Sequence, residues 1–193
     1  MARTRSFDPE QVLQQAMMLF WQQGFERLSM EQLVKHLGVN RYSLYETFGN
    51  KQALFELSLE RYIAVVFEFM QMPLKEHKGK AALTAFCQKF RDQLQRTNAN
   101  NGCLMFNSLQ AKTPMSDTAL QNLHTAIEKQ QTLLLQRIIE AQTANEFKRQ
   151  FKPEAAAQFI AAQTRLLLNT RRDQGIEAMT TIADFLIADI EAW

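Results

Sequence analysis

The sequence predicts an all-α fold of about nine helices, a cluster of three short ones at the N-terminus and longer ones after it. Three observations carry this. Apolar residues recur at the helical period, no run alternates Val, Ile, Thr and aromatic residues as a strand would, and the glycines fall where one periodic segment stops and another begins. At 193 residues, 46% of them hydrophobic, the chain is long enough for one sizeable core or for a small domain fused to a larger one.

The first helix is expected over residues 9–23. Asp8 stands as N-cap and Pro9 in the first helical position; Gln11 is placed to complete a capping box and Val12 to staple onto Phe7. The same grammar recurs twice. Leu28, Ser29, Gln32 and Leu33 start a short helix that ends at Leu37-Gly38, and Val39, Asn40 and Leu44 start the next. A fourth helix begins at Asn50-Lys51 and can run to Met72, before Pro73, a length of roughly 33 Å that would link the N-terminal cluster to the longer helices of the body. Further helices are expected near 80–96, 103–112, 117–144, 153–173 and 176–192, with the longest connections at 73–79 and 97–102.

Residues 29–48 thus read as a helix, a Gly38-Val39-Asn40 turn and a second helix, the layout that pushes one helix into a DNA major groove. Leu33, Leu37, Val39, Leu44 and Phe48 are spaced to form its inner face. That leaves Arg41, Tyr42 and Ser43 outward at the front of the second helix, where a recognition helix meets base edges.

Charge does not announce this use. The net charge is only +2, and Arg3, Arg5, Arg27, Lys35, Arg41 and Lys51 outnumber Asp8, Glu10, Glu26, Glu31 and Glu46 by one. Placement of these side chains, rather than their sum, points to DNA.

These residues resemble the TetR-type bacterial regulators, whose signature is a Thr/Ser cap, a Gly-Val-Ser turn and a Leu-Tyr-x-x-Phe-x-x-Lys run. Here it becomes Ser29, Gly38-Val39-Asn40, Leu44-Tyr45, Phe48 and Lys51, preceded by Leu19-Phe20 and Gly24-Phe25; the motif covers about a quarter of the chain. The resemblance implies a helix-turn-helix DNA-binding domain at 1–50 and a helical regulatory and dimerisation domain at 51–193. It implies that Ser29, Tyr45 and Lys51 grip phosphate and that Arg41 and Tyr42, flanked by Asn40 and Ser43, read the groove. Arg3 and Arg5 would reach backbone or minor groove, although a solvated tail is an equal reading of that arm. Val34, Tyr42 and Glu46-Thr47 depart from the family's usual residues, which leaves the sequence preference open. The function implied is a transcriptional repressor that binds a palindromic operator in double-stranded DNA as a homodimer and is released by a small apolar or reactive effector.

The last two predicted helices crowd small and large apolar residues together. Ala155, Phe159, Ala162 and Leu166 on one and Met179, Ala183 and Leu186 on the other would suit a four-helix interface across a two-fold axis, or would close the protomer's own core. Phe67, Met70, Phe86, Phe90 and Phe106 belong to a stretch rich in Phe and Met, which can line an apolar effector cavity or form solid core. Cys103 stands at a predicted helix start, where the helix dipole would lower its pKa and favour oxidants or electrophiles; a small buried thiol is the plainer reading.

The alternative is an all-helical enzyme or a protein-binding adaptor that does not bind DNA. Little supports catalysis: there is no Gly-x-Ser-x-Gly, and His36, His77 and His124 are too scattered for a triad or a metal site. No cofactor and no metal are expected. The longest apolar run, from Tyr62 to Phe67, is far short of a membrane span, and the first six residues lack the apolar core of a signal peptide. With two cysteines in no pairing pattern, a cytoplasmic protein is expected.

Overall fold

A computed structural model of the chain describes residues 7–96 and 101–193. Among these residues the only regular structure is helical. They form two compact units: Met1–Val66 with Cys103–Leu123, and Phe67–Gly102 with His124–Trp193.

The first unit holds α1 (Pro9–Gln23), α2 (Met30–Leu37), α3 (Arg41–Phe48), α4 (Lys51–Tyr62), α8 (Leu104–Gln110) and the start of α9 (Asp117–Thr143). α1 begins at Asp8, whose carboxylate accepts from Glu10 N–H, so the cap forms without the Gln11 box. α2 has the full box: Ser29 Oγ accepts from Gln32 N–H at 3.1 Å and Gln32 Oε1 from Ser29 N–H at 2.8 Å. Asn40 and Asn50 cap α3 and α4. Because each helix has its own start signal, three changes of direction fit into a short stretch of chain. Gly38 makes one of them with φ +64°, left-handed backbone that a Cβ disfavours.

These helices meet on Ala16, Phe20, Leu28, Leu33, Leu44, Leu54 and Phe55, all fully buried. The Phe20 and Phe25 rings pack on Phe55 at 5.2 and 5.1 Å, and Trp21 lies edge-on to Tyr62 at 5.0 Å. Polar ties reinforce the packing of α1 on α4: Arg61 donates to Gln14 at 2.7 Å and to Glu10 at 2.5 Å. α4 is also fixed to the turn before α9, since Glu56 accepts from Ser116 N–H at 2.7 Å and from its hydroxyl at 2.8 Å. Burial alone would raise the Glu56 pKa, but these two bonds and one from Gln52 outweigh it and hold the carboxyl below its usual range.

The continuous helix expected from Lys51 to Met72 is interrupted. After Tyr62 the chain takes a π-helical turn over Ile63–Phe67, then α5 (Glu68–Met70), Gln71 and α6 (Met72–Glu76). Ile63, Val65 and Val66 are β-branched and crowd a regular α-turn, consistent with the wider one found. Pro73 does not end the helix but starts α6, in the first turn where no N–H is needed.

The second unit is built on α7 (Gly79–Arg96), packed on α6, α10 (Pro153–Asp173) and α11 (Ile176–Ala192), with the rest of α9. Leu83, Phe86 and Cys87 of α7 and Met179, Ala183, Leu186 and Ile190 of α11 are buried there. The first turn of α7 is capped from a distance, Glu140 accepting from Gly79 N–H at 3.2 Å and Glu146 from Lys80 N–H at 2.7 Å. Gly79 takes φ +53°, a left-handed conformation that L side chains rarely adopt, and a Cβ there would push the end of the Glu146 side chain aside. The chain ends in an aromatic cluster in which Trp193 packs on Phe151 at 4.9 Å and Phe147 at 5.8 Å, its indole N–H donating to Asp189 at 3.0 Å.

Candidate nucleic-acid interface

α3 has two unlike sides. Leu44 and Phe48 are buried beneath it, and Leu33 and Leu37 of α2 with Val39 of the turn complete that inner face, as the spacing predicted. Arg41, Tyr42 and Tyr45 are exposed, Tyr42 to 70%. An exposed aromatic at the front of a short capped helix does nothing for the core beneath it.

The front of α3 carries donors in several forms. Asn40 Oδ1 accepts from Tyr42 N–H at 2.8 Å, which directs the rest of its amide to solvent. The Arg41 guanidinium lies 5.7 Å from the Tyr45 ring centre, a cation-π contact that limits the rotamers of both while leaving the guanidinium's donors available. Ser43 is half-buried. At α2, the exposed Ser29 uses its oxygen as acceptor within the helix cap, which leaves its O–H as a donor for a phosphate oxygen. The N-terminal ends of both helices add positive dipole ends that favour the same anion.

Lys51 opens α4, half-buried, with its ammonium 4.0 Å from the centre of the Phe25 ring. Sequence reasoning had both residues but not this contact. Phe25 comes after the Gly24 turn and Lys51 after the Asn50 cap, and only the fold brings them together. The ring gives a long flexible side chain a defined position, which would reduce the entropy it loses on pairing with an anion.

Arg3 and Arg5 lie outside the described residues. The remaining predicted sites fall elsewhere. Phe67, Met70, Phe86 and Phe90 are buried side chains of the second unit, whereas Cys103 and the half-buried Phe106 belong to the first. Cys103 is the N-cap residue of α8, as placed from the sequence, but its thiol is not activated. Burial pushes its pKa up, and hydrogen bonds from the Tyr62 hydroxyl and the Phe106 and Met105 N–H groups offset this only in part. The Cys87 thiol, also buried, is pushed up to about 12.

On α10, Ala155, Phe159, Ala162 and Leu166 form an exposed stripe. On α11, Met179, Ala183 and Leu186 face the other way, into the protomer, where packing on α7 occupies them. The residue that sequence reasoning missed is Phe185, 77% exposed, with Ile176 exposed at the start of the same helix. No group of three or more His, Cys, Asp or Glu among the described residues is arranged to hold a metal ion.

Family models match the chain twice. Residues 12–57 match the model described as bacterial regulatory proteins, tetR family, and residues 79–179 match the tetracyclin repressor-like C-terminal domain. The chain belongs to the TetR family. Among curated relatives, it is 28% identical over 185 residues to the HTH-type transcriptional repressor ComR of Escherichia coli K12, covering 94% of this chain and 88% of ComR. It is 29% identical over 130 residues to the repressor BdcR of the same organism, covering 64% of each. Among solved structures, a cysteine mutant of the TetR family regulator CifR complexed with 26-base-pair operator DNA superposes with a TM-score of 0.82, at 21% identity, over 97% of this chain and 98% of that one. Reduced NemR of E. coli superposes with a TM-score of 0.76 at 20% identity, over 94% of each chain. The resemblance read from the Ser29 to Lys51 motif thus extends to both ends of the fold. The chain is a DNA-binding transcriptional regulator.

Proposed function

We propose that this TetR-family regulator is a repressor that holds a palindromic operator as a homodimer and lets it go when an effector binds its helical body. The observation that carries the reading is the two-sidedness of α3, buried on Leu44 and Phe48 and exposed at Arg41 and Tyr42. Arg41 and Tyr42 meet base edges, with Asn40 and Ser43 at the same helix front. Ser29, Tyr45 and Lys51 hold phosphates, and the arm carrying Arg3 and Arg5 adds to the backbone contacts. Residues 1–50 act as the DNA-binding part and 51–193 as the regulatory part. Relatives named as repressors support the sign of control.

The dimer face of this proposal is the exposed stripe of α10, Ala155, Phe159, Ala162 and Leu166, joined by Phe185 of α11. Two copies bring two recognition helices about 34 Å apart, one DNA turn, which explains why neither head needs strong charge. The place of action is the cytoplasm, where a bacterial operator is. No helix among the described residues is long and apolar enough to cross a membrane.

Selection from a random duplex library tests the reading. The expected result is enrichment of an inverted repeat by the wild-type chain, bound by a dimer. Enrichment of no sequence, or of a single unrepeated half-site by a monomer, overturns it.

A further inference from the structure

The second unit contains an open cavity of about 440 Å³ between the α5–α6 segment and the middle of α9. Its wall from the first segment is Glu68, Gln71 and Lys75; Glu128, Lys129 and Leu133 come from α9. Gln71 is the residue between α5 and α6, at the point where the long helix expected from the sequence is broken. It is 1% exposed. Its Nε2 faces the Phe67 carbonyl at 3.5 Å, and because that carbonyl can only accept, the amide nitrogen belongs on that side. Among the described residues its Oε1 has no hydrogen-bond partner. A buried acceptor left unpaired costs stability unless something donates to it. Gln71 lines the cavity while its Oε1 is sealed from solvent, so a donor in the cavity reaches that oxygen when the Gln71 side chain turns toward it.

The charges of the lining narrow what that donor is attached to. Lys75 is paired with Glu68. Glu128 and Lys129 add one charge of each sign, so the lining sums to zero. A charged ligand would lose hydration with no net opposite charge to receive it, whereas a neutral one enters at no such cost. Leu133 and the stems of the long side chains offer apolar surface to its body.

We propose that this cavity binds a small neutral organic molecule that carries an N–H or O–H donor on an apolar body, the donor pairing with Gln71 Oε1, and that this is the effector site of the regulator. The second half rests on the repressor reading above. α9 offers a physical link: it supplies Glu128, Lys129 and Leu133 to the cavity, and the turn at its beginning carries Ser116, which is bound to Glu56 of α4. A ligand that favours one setting of α9 thereby biases α4, the helix that Lys51 opens.

Calorimetric titration of the full chain with benzamide, benzyl alcohol and acetophenone tests the site. Acetophenone has nearly the shape of benzamide but no donor. The two donors should bind at least about tenfold more tightly than acetophenone. Gln71→Leu should abolish that preference while leaving the unfolding midpoint in urea unchanged or higher, since it removes an unpaired buried oxygen. Leu133→Trp, which fills the cavity and leaves Gln71 in place, should abolish binding of all three. Equal affinity for acetophenone, unaltered binding by either variant, or no binding up to about 10 mM overturns the site. Operator affinity is read separately on the selected DNA. Release by the bound donor supports the effector role, and binding with unchanged operator affinity overturns that role alone. Failure to select an operator overturns the repressor reading, and the titration still decides the site.

Discussion

Two helix pairs in this molecule are built alike and are not equally legible. α2–α3 and α10–α11 are each joined by a short glycine-containing connection, and each carries apolar stripes at helical spacing. In α3 the apolar residues lie on one side, Leu44 and Phe48, so the direction of Arg41 and Tyr42 can be read from the sequence. In α11 two sides compete. Met179, Ala183, Leu186 and Ile190 face the protomer core, whereas Phe185, on another side of the helix, faces solvent. A one-sided helix declares its own orientation; a helix apolar on two sides declares that it has two partners, and periodicity alone does not say which stripe meets which.

The sharpest way to break this comparison is to truncate one residue from each side of each pair. Leu44→Ala and Met179→Ala both open the core and should each destabilise by about 2–5 kcal/mol in urea unfolding. Tyr42→Ala should stay within about 0.5 kcal/mol of wild type, as expected of a surface change. Phe185→Glu should keep the helical circular dichroism signal but move the chain from dimer to monomer in sedimentation. A dimeric Phe185→Glu together with a monomeric, well-folded Met179→Ala would reverse the assignment of the two sides.

Smaller effects sharpen the picture of the head. Ser29→Ala removes one half of the capping box and should cost about 1 kcal/mol, with Ser29→Thr recovering most of it. A loss no larger than that of a random surface alanine would remove any stabilising role for the cap. Glu56 supplies a still smaller, pH-dependent contribution. Its folded pKa lies below its usual value of 4.5, so the stabilisation is present above that value and is lost as pH falls through the folded pKa. The wild-type unfolding midpoint should therefore fall more steeply than that of Glu56→Gln as pH drops through this acid range. Parallel curves would contradict the Ser116 pairing.

The starts of α1 to α4 are legible because their caps are local: Asp8, Ser29, Asn40 and Asn50 each reach a backbone N–H within three residues. The contacts that give the site its form are not local. Lys51 against Phe25 and Glu56 against Ser116 join residues far apart in the chain, and no spacing rule foretells them. The break at Ile63–Phe67 is hidden because its apolar pattern continues through it; only the β-branched run hints at strain. Cys103 does stand at its helix start, but the lowered pKa expected there is wrong, since the sequence does not show the burial that outweighs the helix end. The Phe and Met residues of the body read equally as cavity lining or solid core, and composition has no means of separating the two.

The central claim is that the exposed front of α3 reads bases. It is tested most directly by the affinity of the selected operator for wild type and for the Arg41→Ala/Tyr42→Ala double variant, at one salt concentration, beside a scrambled duplex. The double variant, still a folded dimer, should lose its preference for the operator and retain the weak affinity that both proteins have for the scrambled DNA, with Arg41→Ala alone costing about 1–3 kcal/mol. Undiminished operator affinity in the double variant would contradict it.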